Sequence, residues 1–555
     1  MPVAGPKSAL RRLVLTAAIG LALAGEARAH CDGEWVAVGG PGGSGSQTAV
    51  LASTLWDPDG PGPQEPVLVV AGQFSTFDGV TVNNVVTWNG VAWSPLGPGL
   101  GNAASWVDAL TVLSTGELVA GGTFTSSGAT PVSRVAKWDG AAWTALGSGM
   151  NNEVTSLAVA SGGELYAGGL FTNAGGITAN RVAKWNGSSW SPLGSGSDNG
   201  VGNAVYALAP APIGGVYIGG AFTSAGGEGG RRYVVRWTGS SWSTLGSGCN
   251  ALVLALHVLS NGDLVAGGTF TSAGGQSAGR VARWNGSAWS AMGSGLNAQP
   301  LCFATTPAGE LVAGGHFVSS GAAMLNRIAR WDGSAWLPMG AGMDQYVMAL
   351  TPTPADEIWA GGGFSTVEGL DSAYLARHDP PDLVSIEREP QPATTCVGGT
   401  SSFSVVASSD GIIAYAWEIE RAPGDWVTLT LDPLPLPGGG SASALVPGAA
   451  TTPIIVLPDP GTFTYRVRAV VSDACGTATS EPATLTICPG DLDDGSGAGT
   501  CDGGVDVNDL LYFLVAYEGG AAAADLDDGT RLGIPDGAVD INDLLFFLGH
   551  FHGGC

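Results

Sequence analysis

One stretch constrains this chain more than any other: ELYAGGLFTNAGGITANRVAKWNGSSWSPLGSGS, from Glu164 to Ser197, because most of the first 380 residues are that stretch written again. Its phenylalanine recurs as Phe74, Phe124, Phe171, Phe222, Phe270, Phe317 and Phe364, at steps of 50, 47, 51, 48, 47 and 47 residues. A period of that size predicts a propeller or a solenoid. Each copy holds about four short apolar runs separated by Gly, Ser and Asn, the content of one four-stranded antiparallel blade. The N-terminal run Asp32-Gly33-Glu34-Trp35-Val36-Ala37 matches the last strand of a copy, and the seventh copy lacks that strand, so the two are expected to complete one blade. Closing a ring in this way removes an exposed sheet edge.

The marks of the repeat are a Gly pair after an apolar strand (Gly168–Gly169), a strand ending in Trp185, and Trp190 before Pro-Leu-Gly. They recur at Gly121–Gly122, Trp138 and Trp143, and at Gly267–Gly268, Trp284 and Trp289. In these marks the chain resembles kelch repeats. That resemblance implies a seven-bladed β-propeller over residues 30–380, a scaffold that more often binds than catalyses.

The segment from Trp185 to Trp190 reads as a hairpin, since Asn-Gly takes the positive φ of a tight turn. Both indoles then share a face. A ring of sugar-stacking platforms is one reading. Core between blades is the favoured one, because a large apolar ring gains most from burial. The Lys and Arg residues of the repeats, such as Arg134, Lys137, Arg181, Lys184, Arg280, Arg283, Arg327 and Arg330, fall on the third strand or its approach. Acids (Glu117, Glu164, Asp263, Glu310, Glu357) open the second. Cross-strand ion pairs account for this better than a basic ring for an anionic polymer.

A formal charge of −26 argues against nucleic acid as a partner. The six histidines show no metal or triad spacing. Residues 1–29 read as a signal peptide: Lys7, Arg11 and Arg12, then Leu13–Ala24, then Ala27-Arg28-Ala29. No later segment reads as transmembrane, so a secreted or cell-surface protein is expected. All eight cysteines lie after the signal, which suits an oxidising compartment. Cys396 and Cys475 are candidate disulfide partners; the others are unassigned.

Beyond residue 380 the repeat stops. Alternation around Ser402–Val406, a strand carrying Trp417 and a late strand from Tyr465 to Val470 resemble a bacterial immunoglobulin-like domain, which implies a β-sandwich over 381–488 with Trp417 in its core. In residues 489–555 the acidic pattern of Asp491–Gly495 and Asp502–Leu510 recurs 34 residues on, each copy leading into an apolar helical run. Acidic loops of this kind are the sequence form of an EF-hand-like calcium site. The tail, ending Gly554-Cys555, resembles a dockerin-like domain of exported bacterial proteins. The resemblance implies calcium ligands Asp491, Asp493, Asp502, Asp506 and Asp509, then Asp525, Asp527, Asp536, Asp540 and Asp543. Eight residues separate the second and third ligands of each loop where a dockerin has one.

The expected fold class is therefore mainly β: a seven-bladed β-propeller, a β-sandwich and a small α-helical EF-hand-like pair. The expected function is a binding protein. Its propeller presents a site for a protein or glycan ligand, and its calcium-loaded tail meets a cohesin-like or sorting partner. A carbohydrate-active enzyme or polysaccharide-binding component displayed through the tail is the alternative. No catalytic residue is identified.

Overall fold

The computed structural model describes residues 33–42, 48–60, 62–380, 384–396, 400–409, 413–436, 441–444, 448–457, 464–473, 475–488, 505–521, 526 and 538–553. The expected signal segment 1–29 lies outside them. The fold is mainly β and divides into two compact units, Asp32–Pro380 and one containing Pro381–Cys555.

In the first unit each repeat forms a four-stranded antiparallel sheet. The second repeat is typical, with strands Val107–Val112, Leu118–Gly122, Val135–Trp138 and Trp143–Ala145. Seven such sheets follow one another. The last combines Val347–Pro352, Ile358–Gly362 and Leu375–Asp379 with Glu34–Ala37, which pairs antiparallel to Leu375–Asp379 with Trp35 opposite His378. Each first strand packs beside the first strand of the next sheet, and Val347–Pro352 packs beside Ala49–Trp56, so the order returns to its start. Ser53 Oγ and Thr351 Oγ1, 2.7 Å apart, bridge those two strands.

The glycine pair has a steric cause. A Cβ on Gly121 would sit 2.6 Å from Cγ1 of Val154 in the next sheet, and one on Gly122 would collide with the Trp106 carbonyl of its own sheet. The first glycine sets the spacing between sheets and the second the spacing within one.

The Trp pairs are core. Trp138–Trp143, Trp185–Trp190 and Trp284–Trp289 are register partners with ring centroids 5.3–5.5 Å apart. The second indole of a pair is buried and donates to a carbonyl of the preceding repeat: Trp143 Nε1 to Leu96 O at 3.1 Å, Trp190 to Leu146 O at 2.9 Å, Trp289 to Leu245 O at 2.8 Å. A sugar-stacking ring is not what these residues form. Trp143→Ala is expected to cost about 3–5 kcal/mol, the usual range for a buried aromatic, read as a lowered denaturant midpoint of the full chain. The hairpins between the indoles differ from the expected tight turn. They are four-residue loops in which Gly187 alone takes positive φ, while Asn186 Oδ1 accepts the Ser188 and Ser189 N–H groups.

The expected seven-bladed, kelch-like β-propeller with an EF-hand-like tail needs correction at two points of its fold. First, the repeat is not a four-stranded blade alone. Six of the seven carry a separate two-stranded ribbon, such as Ser126–Ser127 with Thr130–Pro131, between their second and third strands, and in the first the ribbon of Thr76–Phe77 with Val80–Thr81 gains Pro41–Gly42 as a third strand. The marker Phe enters this ribbon. The residue leaving it (Asn84, Arg134, Arg181, Tyr233, Arg280, Arg327 or Tyr374) is held at φ 63–78° while its N–H donates to the Phe carbonyl. Second, no EF-hand helix pair is seen among the described residues, where each acidic segment leads into a single helix, α1 (Val507–Glu518) or α2 (Ile541–Gly553). Phe513 and Phe547 stack at 4.2 Å between them, with Ala516 also buried.

The sandwich has one sheet in the order Ala393–Cys396, Ala483–Cys488, Thr464–Ser472, Ala414–Ala422, Asp425–Thr428. The other runs Thr400–Ser404, Thr451–Leu457, Ser441–Ala444, Leu434–Pro435. Trp417, Phe403, Ile454, Tyr465 and Val467 fill the space between. Trp417 Nε1 donates to Ala449 O at 2.9 Å.

Candidate functional site

The first strands of the seven sheets share one irregularity. In each, the ladder to the second strand skips a residue: Leu51, Asp108, Thr155, Tyr206, Leu254, Leu301 and Met348. A β-bulge of this kind re-aims a side chain. The skipped residues and their two followers, a three-residue run from every first strand, line a single cavity of about 280 Å³. Its walls are mostly Leu, Ala, Met and Phe, and Asp108 is the one charged side chain among the described residues that line it.

Asp108 Oδ2 is shielded from solvent and has no hydrogen-bond partner among the described residues. Burial pushes the carboxyl up to about 8. The neighbouring Glu153 pushes in the same direction by charge and by hydrogen bonding, against a smaller lowering from the Trp106 indole. Trp106 Nε1 also reaches Glu153 Oε1 at 3.4 Å. Asp108 thus keeps its proton near neutrality, beside Glu153.

Two other reactive side chains in the unit are quiet. Cys302 lines the cavity as a free thiol, its ionisation pushed far up by burial. Its neighbour in sequence space, Cys249, is buried and free with its thiol pushed up to about 12, so these two are not bridged. His257 is held by burial at about 4, with Nε2 2.7 Å from Thr305 Oγ1.

The basic residues of the repeats resolve into two sets. Lys137–Glu117, Lys184–Glu164, Arg283–Asp263, Arg330–Glu310 and Arg377–Glu357 are ion pairs between the third and second strands. Arg236 finds glycine where the acid would stand, and donates to the Ile213 and Gly214 carbonyls. Arg134, Arg181, Arg280 and Arg327 leave the ribbons instead. No described arginine or lysine lines the cavity.

Of the ten expected calcium ligands, Asp491, Asp493, Asp502, Asp525, Asp527 and Asp536 lie outside the described residues. The other four open the helices. Asp506 caps α1, its Oδ1 accepting the Asn508 N–H at 2.7 Å while Asp509 Oδ2 accepts the Asp506 N–H at 2.7 Å. Asp540 and Asp543 repeat both contacts at 2.7 Å at the start of α2. Asp509 and Asp543 are fully buried. Among the described residues no group of three or more His, Cys, Asp or Glu gathers as a metal centre. Cys475 and Cys488 each take part in a disulfide; the side chain of Cys396 lies outside the described ones, and its backbone stands opposite Cys488 in a parallel strand pair.

Sequence reasoning passed over Asp108, Glu153 and Trp106. The available signal was positional: the residues aligned with Asp108 in the other six repeats are Leu51, Thr155, Tyr206, Leu254, Leu301 and Met348, none of them ionised at neutral pH.

Comparisons with known proteins come last. Residues 259–286 match the profile of a family described as a domain of unknown function (DUF5122) beta-propeller. This corrects the kelch reading, since the profile that matches a repeat assigned to kelch is another one. The match spans the second and third sheet strands of one repeat and the ribbon between them. No curated protein matches the chain. Among solved structures, the titin M3 domain is 17% identical over 19% of this chain and 97% of its own, with a TM-score of 0.14. The Ig1-2 module of the Drosophila receptor protein tyrosine phosphatase DLAR is 24% identical over 20% of this chain and 50% of its own, at 0.15. Scores of that size carry no argument about this chain, and its sandwich rests on its own strand pairing.

Proposed function

We propose that this chain is an exported interaction protein whose helical pair docks onto a receptor protein. The carrying observation is an apolar face that the fold leaves uncovered twice. Val507, Leu511 and Leu514 on α1 are 60%, 57% and 44% exposed, and their counterparts 34 residues on, Ile541, Leu545 and Leu548 on α2, are 57%, 50% and 39% exposed. Exposed apolar side chains grouped on one face are what a protein interface buries. Their recurrence at the duplication period argues against chance. Calcium is the proposed partner of the acidic segments. Asp509 and Asp543 open the two helices at the place of the last ligand in each proposed loop, where a carboxylate supplies the hard oxygen that calcium takes. No helix among the described residues is long and apolar enough to cross a membrane. That leaves a receptor as the proposed means of surface attachment.

The test uses the full chain and the cell-envelope proteins of the organism that makes it. Chemical crosslinking in calcium should yield one adduct. That adduct should fall at least tenfold in chelator and in the double variant Leu511→Asp, Leu545→Asp. An adduct equally strong in that variant would overturn the reading.

A further inference from the structure

We propose that the cavity enclosed by the seven first strands binds a small organic ammonium ion, with Asp108 as its counter-charge.

Three features of the cavity carry this. Its lining varies in chemistry at the bulged position, where six repeats supply neutral residues and one supplies a carboxyl. That carboxyl has an oxygen with no hydrogen-bond partner among the described residues, and burying a polar atom unpaired costs free energy that a bound donor returns. Of the remaining lining, Leu51, Leu254, Leu301 and Met348 offer no side-chain oxygen, and the hydroxyls of Ser53, Thr155 and Ser156 already hydrogen-bond to Thr351 Oγ1, the Val205 carbonyl and the Leu208 N–H, which leaves few free oxygen ligands. A metal cation needs several, so an inorganic ion is poorly matched. An ammonium on a short alkyl stem is well matched, because its charge meets Asp108 while the stem covers leucine and methionine surface. A cavity of about 280 Å³ accommodates a stem of a few carbons.

The groups facing Asp108 set the sign of the pH dependence. Glu153 adds negative charge; Tyr206 and Cys302 are the other titratable side chains of the lining, and burial pushes the Cys302 thiol far up. No described cation opposes them. At pH 7 the Asp108 carboxyl still holds its proton, so an entering ammonium displaces it. Binding therefore releases close to one proton and tightens as pH rises.

The experiment is isothermal titration of the full chain with n-butylammonium, in phosphate and in Tris, at pH 6, 7 and 8. The dependence of heat on buffer should report close to one proton released at pH 7. The dissociation constant should fall roughly tenfold from pH 6 to 7, then by less up to pH 8. Asp108→Asn should abolish proton release and weaken binding at least tenfold. Leu254→Phe, which keeps the carboxyl and fills the space, should also weaken binding at least tenfold. Absence of binding at all three pH values, binding unchanged in either variant, or n-butanol binding as tightly as n-butylammonium would each overturn the proposal.

Discussion

Asp108→Asn should make the full chain more stable, and increasingly so as pH rises from 4 to 8. The folded carboxyl titrates at about 8 against an ordinary 3.8. Between those values the folded state holds a proton that the unfolded chain has released. Stability therefore falls with pH across that window and is flat above it. At about 1.4 kcal/mol per pH unit, the cost is on the order of 5 kcal/mol as a ceiling by pH 8. Asparagine has no proton to lose, so wild type and variant should show close denaturant midpoints near pH 4 and diverge upward. Glu153→Gln, which removes the second-largest cause, should recover only part of that difference. His257 works the opposite way: its folded value of about 4 lies below the ordinary 6.5, so its contribution is present above pH 6.5 and is lost as pH falls toward 4. His257→Gln should flatten the acid side alone. Parallel midpoint curves for wild type and Asp108→Asn from pH 4 to 8 would show that the carboxyl is not held protonated.

Removing residues 1–46 should destabilise the seven-sheet unit by more than any single substitution in it. Glu34–Ala37 supplies the outer strand of the last sheet. Trp35 is 3% exposed, donates to the Met339 carbonyl at 3.0 Å and meets the His378 ring edge-on at 4.9 Å. Without the segment, Met339 O loses its donor and strand Leu375–Asp379 loses one row of ladder hydrogen bonds. Trp35→Ala alone should cost about 3–5 kcal/mol, and the truncation more. Both are read from urea midpoints, with tryptophan emission as the probe. A truncated chain that unfolds at the full-length midpoint would mean that the strand contributes nothing to the unit.

What the sequence by itself determined is local and periodic. The Phe markers, the Gly pairs and the Trp pairs repeat at one spacing because each serves the same contact in every sheet. Lys137 with Glu117 and Arg330 with Glu310 could be read as pairs because strand alternation places them on adjacent strands of one hairpin. The N-terminal strand was legible too, since it carries the Trp motif that the seventh repeat lacks. Trp417 declared itself as the core of the sandwich by its apolar strand. The kelch label and the EF-hand reading failed for a shared reason: residue marks and spacing along the chain do not show the ribbon inserted in each repeat or how the acidic segments are flanked by helices.

Only the tertiary structure decided the rest. An aspartate in WVDALTVL reads along the chain as a solvated strand residue. Its burial depends on a one-residue slip in the ladder at Gly121/Gly122, and its proton on Glu153, which belongs to the next repeat. The cavity has no sequence signature at all, because it is assembled from one short run in each of seven repeats spread over some three hundred residues. The bulge recurs in every sheet but the residue on it does not, so nothing along the chain marks Asp108 as the one that meets a neighbour's charge.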